Sequence, residues 1–317
     1  TNTLEALSML CGWWQVQRKK LKDLINWFAQ DQGEAKLYSK FDGEEEFVVS
    51  ISIDEKRMIK ISGKQGNASM LRAFIPCLSF WSNDVNLIDG PPYVRRNFLN
   101  QLCALVIPLY ARRLYDYNKI LRHRNYSLKN GQYDPVIIRT MAPLAAWIWS
   151  YRRTIVDLLK IGLKETSSAL LDFDVEIDVK EGSYGFFEDP MEEFYKSLSA
   201  LKNEEISKHV SLVGPHRDDL SMTVKGRPAN EALSRGQRKK LAVTLMLSAA
   251  KVVEYRMRKK PIILLDEITA ELDREAKSSL ISALLSSGYQ VIAATADDRI
   301  EDFPGKVWHI YQGGLSV

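Results

Sequence analysis

Apolar and polar positions follow two different periods in the first half of the chain. Apolar residues recur every three or four positions over residues 3–14 and Glu5 lies in the first turn, which predicts a helix already under way at the first residue. Over residues 47–64 the period falls to two around a charged turn, which predicts a β-hairpin ending at Gly63. Beyond Pro91-Pro92, residues 94 to about 171 contain few glycines and many Leu, Ala, Arg and Tyr, so helices are predicted there.

From Val175 onward, signals for strands, loops and helices alternate along the chain. Residues 262–265 and 290–295 are short apolar runs bounded by turns, as in strands that are buried on both faces of a sheet. Residues 306–311 predict a further strand, ended by Gly313-Gly314. This alternation is typical of an α/β core.

Composition narrows the class of protein without identifying a ligand. With 317 residues, 45% hydrophobic and 26% charged, the chain is long enough for one large domain or two smaller ones. Cys11, Cys77 and Cys103 lie far apart and form no metal-binding pair, so buried reduced thiols are expected. Because the sequence contains no membrane-length apolar run and no secretion signal, we expect a cytoplasmic protein without a membrane partner.

The net charge of +4 is too small to indicate a nucleic-acid partner, but the basic residues are unevenly placed. Residues 110–129 carry six Lys or Arg side chains against the single acid Asp116. One face of a helix in this segment is therefore predicted to be strongly basic.

The strongest chemical signal is a pair of motifs in the last third of the chain. Leu233-Ser234-Arg235-Gly236-Gln237 opens an amphipathic helix, and about 25 residues later the apolar run 262–265 is followed by Asp266-Glu267. Four apolar strand residues and two acids describe a Walker B motif, in which Asp266 would hold Mg²⁺ and Glu267 would act as the catalytic carboxylate on the attacking water. The alternative is a buried strand that happens to end in two acids.

The segment Leu233 to Gln237 resembles the signature of ABC-type ATPases, whose small residues at a helix N-terminus bind the γ-phosphate of ATP. Ala270-Glu271-Leu272-Asp273 resembles the D-loop that follows, and Thr295 occupies the place of the switch motif. Many such proteins have His where this chain has Ala296, which favours slow turnover. The resemblance implies ATP and Mg²⁺ as cofactors, contacts to nucleotide from Ser234, Arg235, Gly236, Gln237, Asp273 and Thr295, and a head-to-tail homodimer formed on ATP binding.

The sequence contains no phosphate-binding loop of the form Gly-x4-Gly-Lys-Ser/Thr. Residues 1–7 nevertheless look like those that follow Gly-Lys in such a loop, with Thr1 as the hydroxyl ligand of Mg²⁺ and Asn2 beside it. We therefore expect the phosphate loop to lie upstream of Thr1.

Several further stretches resemble RecF, a family of DNA replication and repair proteins with an ABC-type ATPase head. They are Leu78-Ser79-Phe80 with Asp84, Asp89-Gly90-Pro91-Pro92 before Arg95-Arg96-Asn97-Phe98-Leu99, Arg124-Asn125, and Val213-Gly214-Pro215-His216-Arg217-Asp218-Asp219-Leu220. The match runs almost the whole chain, although Ser82-Asn83 replace the usual Pro-Glu. The resemblance implies an α/β ATPase head of the P-loop NTPase class, with an antiparallel β lobe and an inserted α-helical domain. Its parts would be 1–93 (head), 94–200 (helical domain) and 201–317 (head).

The resemblance also implies an ATP-gated clamp on double-stranded or gapped DNA that cooperates with RecR and RecO. Because guanidinium groups suit phosphate oxygens, the candidate DNA contacts are six arginines: Arg95, Arg96, Arg112, Arg113, Arg122 and Arg124. The alternative for these residues is a solvated helical face or ion pairs within a dimer. His216 and Arg217 either approach nucleotide or DNA or hold a structural turn.

Two other functions compete with an ATP-hydrolysing clamp. One is a protein of the same fold that binds DNA or a partner without hydrolysing ATP, because the phosphate loop is truly absent. The other is the nucleotide-binding subunit of an ABC transporter. The long basic helical region and Arg235, where transporters usually have Gly, argue against the transporter.

Overall fold

A computed structural model describes the chain apart from residues 1, 14–23, 26–32, 43–45, 55, 82, 83, 85, 186, 187, 268–273, 296–302, 304, 312, 313 and 317. The chain divides into two compact units, the first made of Thr1–Asp84 with Lys260–Val317 and the second of Val85–Lys259. The second unit is thus an insertion in the sequence of the first. The functional division into 1–93, 94–200 and 201–317 stays a prediction.

The helices and strands alternate along the chain as follows. The helices are α1 (Asn2–Leu10), α2 (Ala68–Phe74), α3 (Asn86–Asp89), α4 (Pro92–Val106), α5 (Tyr110–Lys129), α6 (Pro135–Leu170), α7 (Pro190–Lys208), α8 (Ala229–Ala232), α9 (Arg235–Met257) and α10 (Arg274–Ser287). The strands are β1 (Ala35–Phe41), β2 (Phe47–Ile53), β3 (Arg57–Ile61), β4 (Lys64–Gln65), β5 (Cys77–Phe80), β6 (Glu176–Lys180), β7 (Asp219–Val224), β8 (Arg227–Pro228), β9 (Ile262–Asp266), β10 (Gln290–Ala294), β11 (His309–Tyr311) and β12 (Gly314–Ser316).

The first unit contains an antiparallel sheet in the order β1-β2-β3-β4. The predicted hairpin is confirmed: β2 buries Val49, Ile51 and Ile53 at alternate positions, as a strand with one face on a core requires. The chain then turns at Ser62 and Gly63, both at positive φ, into the short strand β4. Behind this lobe lies a core that it shares with α1, β5 and β9.

A parallel sheet in the order β10-β9-β5 forms the other layer of the first unit. Ile263, Leu264 and Leu265 are at most 1% exposed, so residues 262–265 are a buried strand, as their uninterrupted apolar run predicts. The predicted strand at 306–311 is shorter, covering only β11, and pairs with β12.

The second unit is mainly helical, which confirms the prediction for residues 94–171. The 36-residue helix α6 packs against α5, α7 and α9, and a small antiparallel sheet in the order β6-β7-β8 covers one side. All three cysteines are buried, as expected. Among the described residues, no helix has the length and apolarity needed to cross a bilayer.

Candidate functional site

The carboxyl ends of β5, β9 and β10 meet at one edge of the parallel sheet. Asp266 is the last residue of β9 and pairs in register with Ala294, the last residue of β10. Glu267 and Thr295 follow directly and are half-buried, whereas Asp266 is 4% exposed. The sheet thereby places Asp266, Glu267 and Thr295 at the edge where open α/β sheets bind ligands.

The backbone at Glu267 adopts an unusual conformation. Its φ of +55° lies in the left-handed region, which costs a residue with a side chain on the order of 1 kcal/mol. The strain is held in place because the Glu267 N–H donates to the Ala294 carbonyl at 3.0 Å. Such conformations concentrate at functional sites, and this one lies at the second acid of the motif.

Helix α1 runs antiparallel to the strands of this sheet. Ser8, in its second turn, lies with Oγ 3.3 Å from that of Ser79, near the carboxyl end of β5. Trp13, beyond the end of α1, donates from Nε1 to the carbonyl of Cys77 at the start of β5, at 3.0 Å. The N-terminus of α1, with Asn2 exposed, therefore points to the edge that carries Asp266.

This polarity makes the edge suitable for an anion. The first turn of a helix presents free N–H groups and the positive end of its dipole, which together favour a phosphate. A carboxylate that can bind Mg²⁺ lies beside this helix start, and together the two groups suit a nucleoside triphosphate with its Mg²⁺. Thr1 and Asp273, two of the predicted site residues, lie outside the described residues, as do the other D-loop positions.

Asp84 is an acid near this edge that the sequence motifs did not put among the site residues. It follows β5 by a few positions and accepts the Trp81 N–H at 2.7 Å. Burial raises the pKa of Asp84 to about 6. The sequence signal for Asp84 was its place in the RecF-like stretch with Leu78-Ser79-Phe80, because β5 is too short and mixed in pattern to be identified as a strand without its parallel neighbour β9.

In the second unit, the signature-like residues form the start of α9. Ser234 is the N-cap: its Oγ accepts the Gln237 N–H at 3.3 Å, and Gln237 Oε1 accepts the Ser234 N–H at 3.0 Å. Both bonds leave the Ser234 hydroxyl proton free to donate elsewhere. Ser234, Arg235 and Gly236 are exposed, although most of α9 beyond Leu241 is buried.

The glycine in this motif is not required by packing within the unit. A Cβ added to Gly236 would meet no atom within 4 Å, and Gly236 is not at positive φ. A small residue here instead keeps the helix start open to a group that approaches from outside. Arg238 anchors this helix start by donating to the Leu233 carbonyl at 2.9 Å and to Asp89 at 2.6 Å.

The six candidate arginines fall into two groups. Arg124 is 3% exposed and its guanidinium binds both carboxylate oxygens of Glu205, at 3.0 and 2.5 Å. Arg95 chelates Asp219 at 2.6 and 2.8 Å, and Arg96 donates to the Asp218 carbonyl at 2.7 Å.

Arg95 and Arg124 therefore direct their guanidinium groups to acids of their own unit, and Arg96 uses one donor on a carbonyl of that unit. A role of these three arginines as contacts to DNA phosphates stays a prediction. The remaining three, Arg112, Arg113 and Arg122, are exposed on α5. Sequence could not separate the groups, because the acids bound by Arg95 and Arg124 lie 124 and 81 residues away.

His216 holds a turn in the second unit. Its Nε2 lies 3.1 Å from the Ser211 carbonyl and its Nδ1 lies 2.7 Å from the Tyr117 hydroxyl. A carbonyl only accepts, so Nε2 carries the proton and Nδ1 accepts from Tyr117. Arg217 donates to the same carbonyl, at 2.9 and 3.1 Å. A Cβ at Gly214, whose φ is +130°, would overlap the Tyr117 oxygen, so this turn requires a glycine.

We expect the folded state to lose stability on acidification through His216. Burial, with nearby arginines, lowers its pKa to about 4, whereas a histidine in the unfolded chain titrates near 6.5. Because only the unfolded chain takes up this proton between those values, the stabilisation is complete above about pH 6.5 and falls by roughly 3 kcal/mol towards pH 4. Urea unfolding of the wild type and His216→Gln from pH 7 to pH 4 measures it. The variant should lack this component, and identical pH dependences would contradict the assignment.

The chain is similar to curated proteins that share one description. No protein-family model matches the chain. The DNA replication and repair protein RecF of Geobacillus thermodenitrificans is 27% identical over 320 residues, covering 95% of this chain and 85% of the relative. That of Myxococcus xanthus is 28% identical over 316 residues, covering 95% and 82%.

Two solved structures share the fold. A structure of the recombination mediator protein RecF-ATPrS in the RecFOR pathway superposes with a TM-score of 0.85 at 22% identity, covering 99% of this chain and 87% of the other. A structure of RecF with ATP superposes with a TM-score of 0.82 at 23% identity and the same coverage. The predicted fold, an α/β head with an antiparallel β lobe and an inserted helical domain, is confirmed.

Proposed function

We propose, from the premise that this chain is a divergent member of the RecF family, that it binds ATP and uses it to close a dimer on DNA during repair and recombination. The observation that carries the proposal is the geometry at the carboxyl edge of the parallel sheet. Two acids and a helix N-terminus converge there, which is the arrangement that a magnesium nucleotide needs.

Each residue at this edge of the sheet has its own proposed role in binding or hydrolysing ATP. ATP would supply the phosphoryl group, and Asp266 and the Thr1 hydroxyl would hold Mg²⁺. Asn2 and Thr295 would contact the phosphates. Glu267, fixed by its backbone bond to Ala294, orients and deprotonates the attacking water.

Residues Ser234 to Gln237 act on the nucleotide of a second protomer. The exposed N-terminus of α9 offers a hydroxyl and backbone N–H groups, and the empty space at Gly236 admits a phosphate to the backbone. Asp273 would lie at the contact between protomers. Because each protomer carries both halves of the site, a head-to-tail pair with two nucleotides satisfies both sites.

Replacing Ser234 by arginine is expected to abolish dimerisation driven by ATP. The long side chain would fill the opening at the start of α9, while the edge at Asp266 is untouched and keeps its ATP. Gel filtration of the complete gene product with and without ATP, together with binding of a fluorescent ATP analogue, separates the two effects. Ser199→Arg is the matched control, since it makes the same replacement at an exposed serine on α7, and it should dimerise with ATP as the wild type does.

The prediction fails if Ser234→Arg, with ATP, still forms dimers at the protein concentration at which the wild type forms them. It would also fail if Ser234→Arg lost ATP binding in the monomer, since the residue would then act within its own protomer.

DNA is the proposed macromolecular ligand. Arg112, Arg113 and Arg122 are the proposed phosphate contacts, and double-stranded or gapped DNA is the expected substrate. RecR- and RecO-type mediator proteins are the proposed partners, by analogy with the pathway named for the RecF structures. Gel filtration with ATP and gapped DNA tests the function as a whole, and failure of DNA to bind with a negative salt dependence would favour a partner switch or a transporter subunit.

A further inference from the structure

One face of α5 carries a row of exposed basic and aromatic side chains. They recur three or four positions apart, which places them on one side of the helix. This α5 stripe consists of Arg112, Tyr115, Lys119, Arg122, Tyr126 and Lys129, all exposed. It extends for about 25 Å at the rise of an α-helix.

The tyrosines of the α5 stripe do not serve the core. Tyr115 and Tyr126 are 58% and 68% exposed, while the opposite side of the helix buries Tyr117 and Leu128. The two rings lie about three turns apart on the same face. Two large rings held at a fixed spacing in solvent offer flat apolar surfaces to a ligand.

The stripe also carries positive charge that no acid of α5 beyond Asp116 balances. The sequence of α5 contains one acid, Asp116, and it pairs with Arg112, whose Nε lies 3.1 Å from the carboxylate. Arg112 in turn lies over the Tyr115 ring, 5.9 Å from its centroid. Lys119, Arg122 and Lys129 thus present their charges between and beyond the two rings.

We propose that the α5 stripe binds single-stranded nucleic acid, with bases stacked on Tyr115 and Tyr126 and phosphates bound by the cations between them. Alternation of cations and exposed rings suits a single strand, because unpaired bases expose the faces that a duplex hides. The proposal deepens the proposed function, since it rests on DNA as the ligand and assigns the single-stranded part of a gap to this helix. Binding of a single strand to the α5 stripe requires no ATP.

The test uses the full chain without ATP and a fluorescein-labelled 15-nucleotide oligothymidylate, measured by anisotropy. Tyr115→Ala and Tyr126→Ala should each weaken binding about tenfold, from the loss of one stacked base. The logarithm of the association constant should fall with the logarithm of salt concentration at a slope of about −2, as expected for three cations on a single strand. Tyr184→Ala, which removes a tyrosine that is 71% exposed outside α5, should bind like the wild type.

An abasic oligonucleotide of the same length separates stacking from charge. It keeps every phosphate but has no bases, so the wild type should bind it at least about tenfold more weakly and the two tyrosine variants should bind it as the wild type does. Unchanged thermal melting of the variants confirms that the helix is intact.

Three results would overturn the proposal. The first is that both variants bind oligothymidylate with wild-type affinity. The second is that the tyrosine replacements lower the affinity for the abasic strand as much as they lower the affinity for oligothymidylate. The third is displacement of oligothymidylate by polyglutamate as readily as by unlabelled strand, which would indicate an acidic protein partner instead. Because ATP is omitted, these outcomes are independent of whether Ser234→Arg abolishes dimerisation.

Discussion

Glu267→Gln is expected to slow ATP hydrolysis by at least about a hundredfold while ATP binding persists. Glutamine keeps the shape of the side chain and can follow the same strained turn, but it cannot accept a proton from water. The adjacent Asp266 remains to hold Mg²⁺, so the nucleotide should stay bound. Phosphate release under single-turnover conditions, measured on the complete gene product, gives the rate.

The control is Glu204→Gln, which neutralises an exposed glutamate on α7 that pairs with Lys208. Its hydrolysis rate should match that of the wild type. ATP-dependent dimers of Glu267→Gln should also persist longer than those of the wild type, because the bound ATP is not consumed. Hydrolysis at the wild-type rate in Glu267→Gln would remove this residue from the proposed mechanism and favour a different carboxylate.

Asp218→Ala is expected to destabilise the protein by about 3–5 kcal/mol. Asp218 and its ion-pair partner Arg152 are each 1% exposed. The carboxylate also accepts the Trp149 Nε1–H at 2.9 Å and the Gly182 N–H at 2.7 Å. Removing it leaves a guanidinium buried without its counter-charge, and the midpoint of urea unfolding should fall with an unchanged m-value.

Two comparisons make this prediction specific to the buried pair. Lys208→Ala breaks an ion pair whose side chains are 57% and 47% exposed, and it should cost less than about 1 kcal/mol. The double replacement Arg152→Met with Asp218→Leu removes both charges and should recover part of the loss. A loss below about 1 kcal/mol in Asp218→Ala would contradict the prediction, because it would mean that the Arg152 guanidinium is tolerated without this counter-charge.

The buried pair also gives the segment Val213 to Leu220, which stands out in the sequence, a structural role. Asp218 pairs with Arg152, His216 bonds to Tyr117 and Ser211, and Arg217 donates to Ser211, all within the second unit. Trp149 belongs to the same network through its Nε1. A motif rich in charged residues can therefore be a structural centre, and only its partners distinguish this from a ligand site.

The sequence by itself determined the features that depend on neighbouring residues. A buried parallel strand must be apolar along its length, so residues 262–265 identified β9 and put Asp266 at its end. A strand with one buried face must alternate, so residues 47–53 identified β2. The cap at Ser234 needs only a residue three positions away, so its helix start was also visible.

Tertiary structure alone decided which charged residues are available to a ligand. Arg122 and Arg124 are two residues apart and chemically identical, yet Arg122 is exposed while Arg124 is buried against Glu205. Likewise, only contacts with β5 show that α1 directs its N-terminus to the edge at Asp266. The physical reason is that ion pairs and helix polarity arise between segments tens of residues apart, where local periodicity carries no information about which groups will meet.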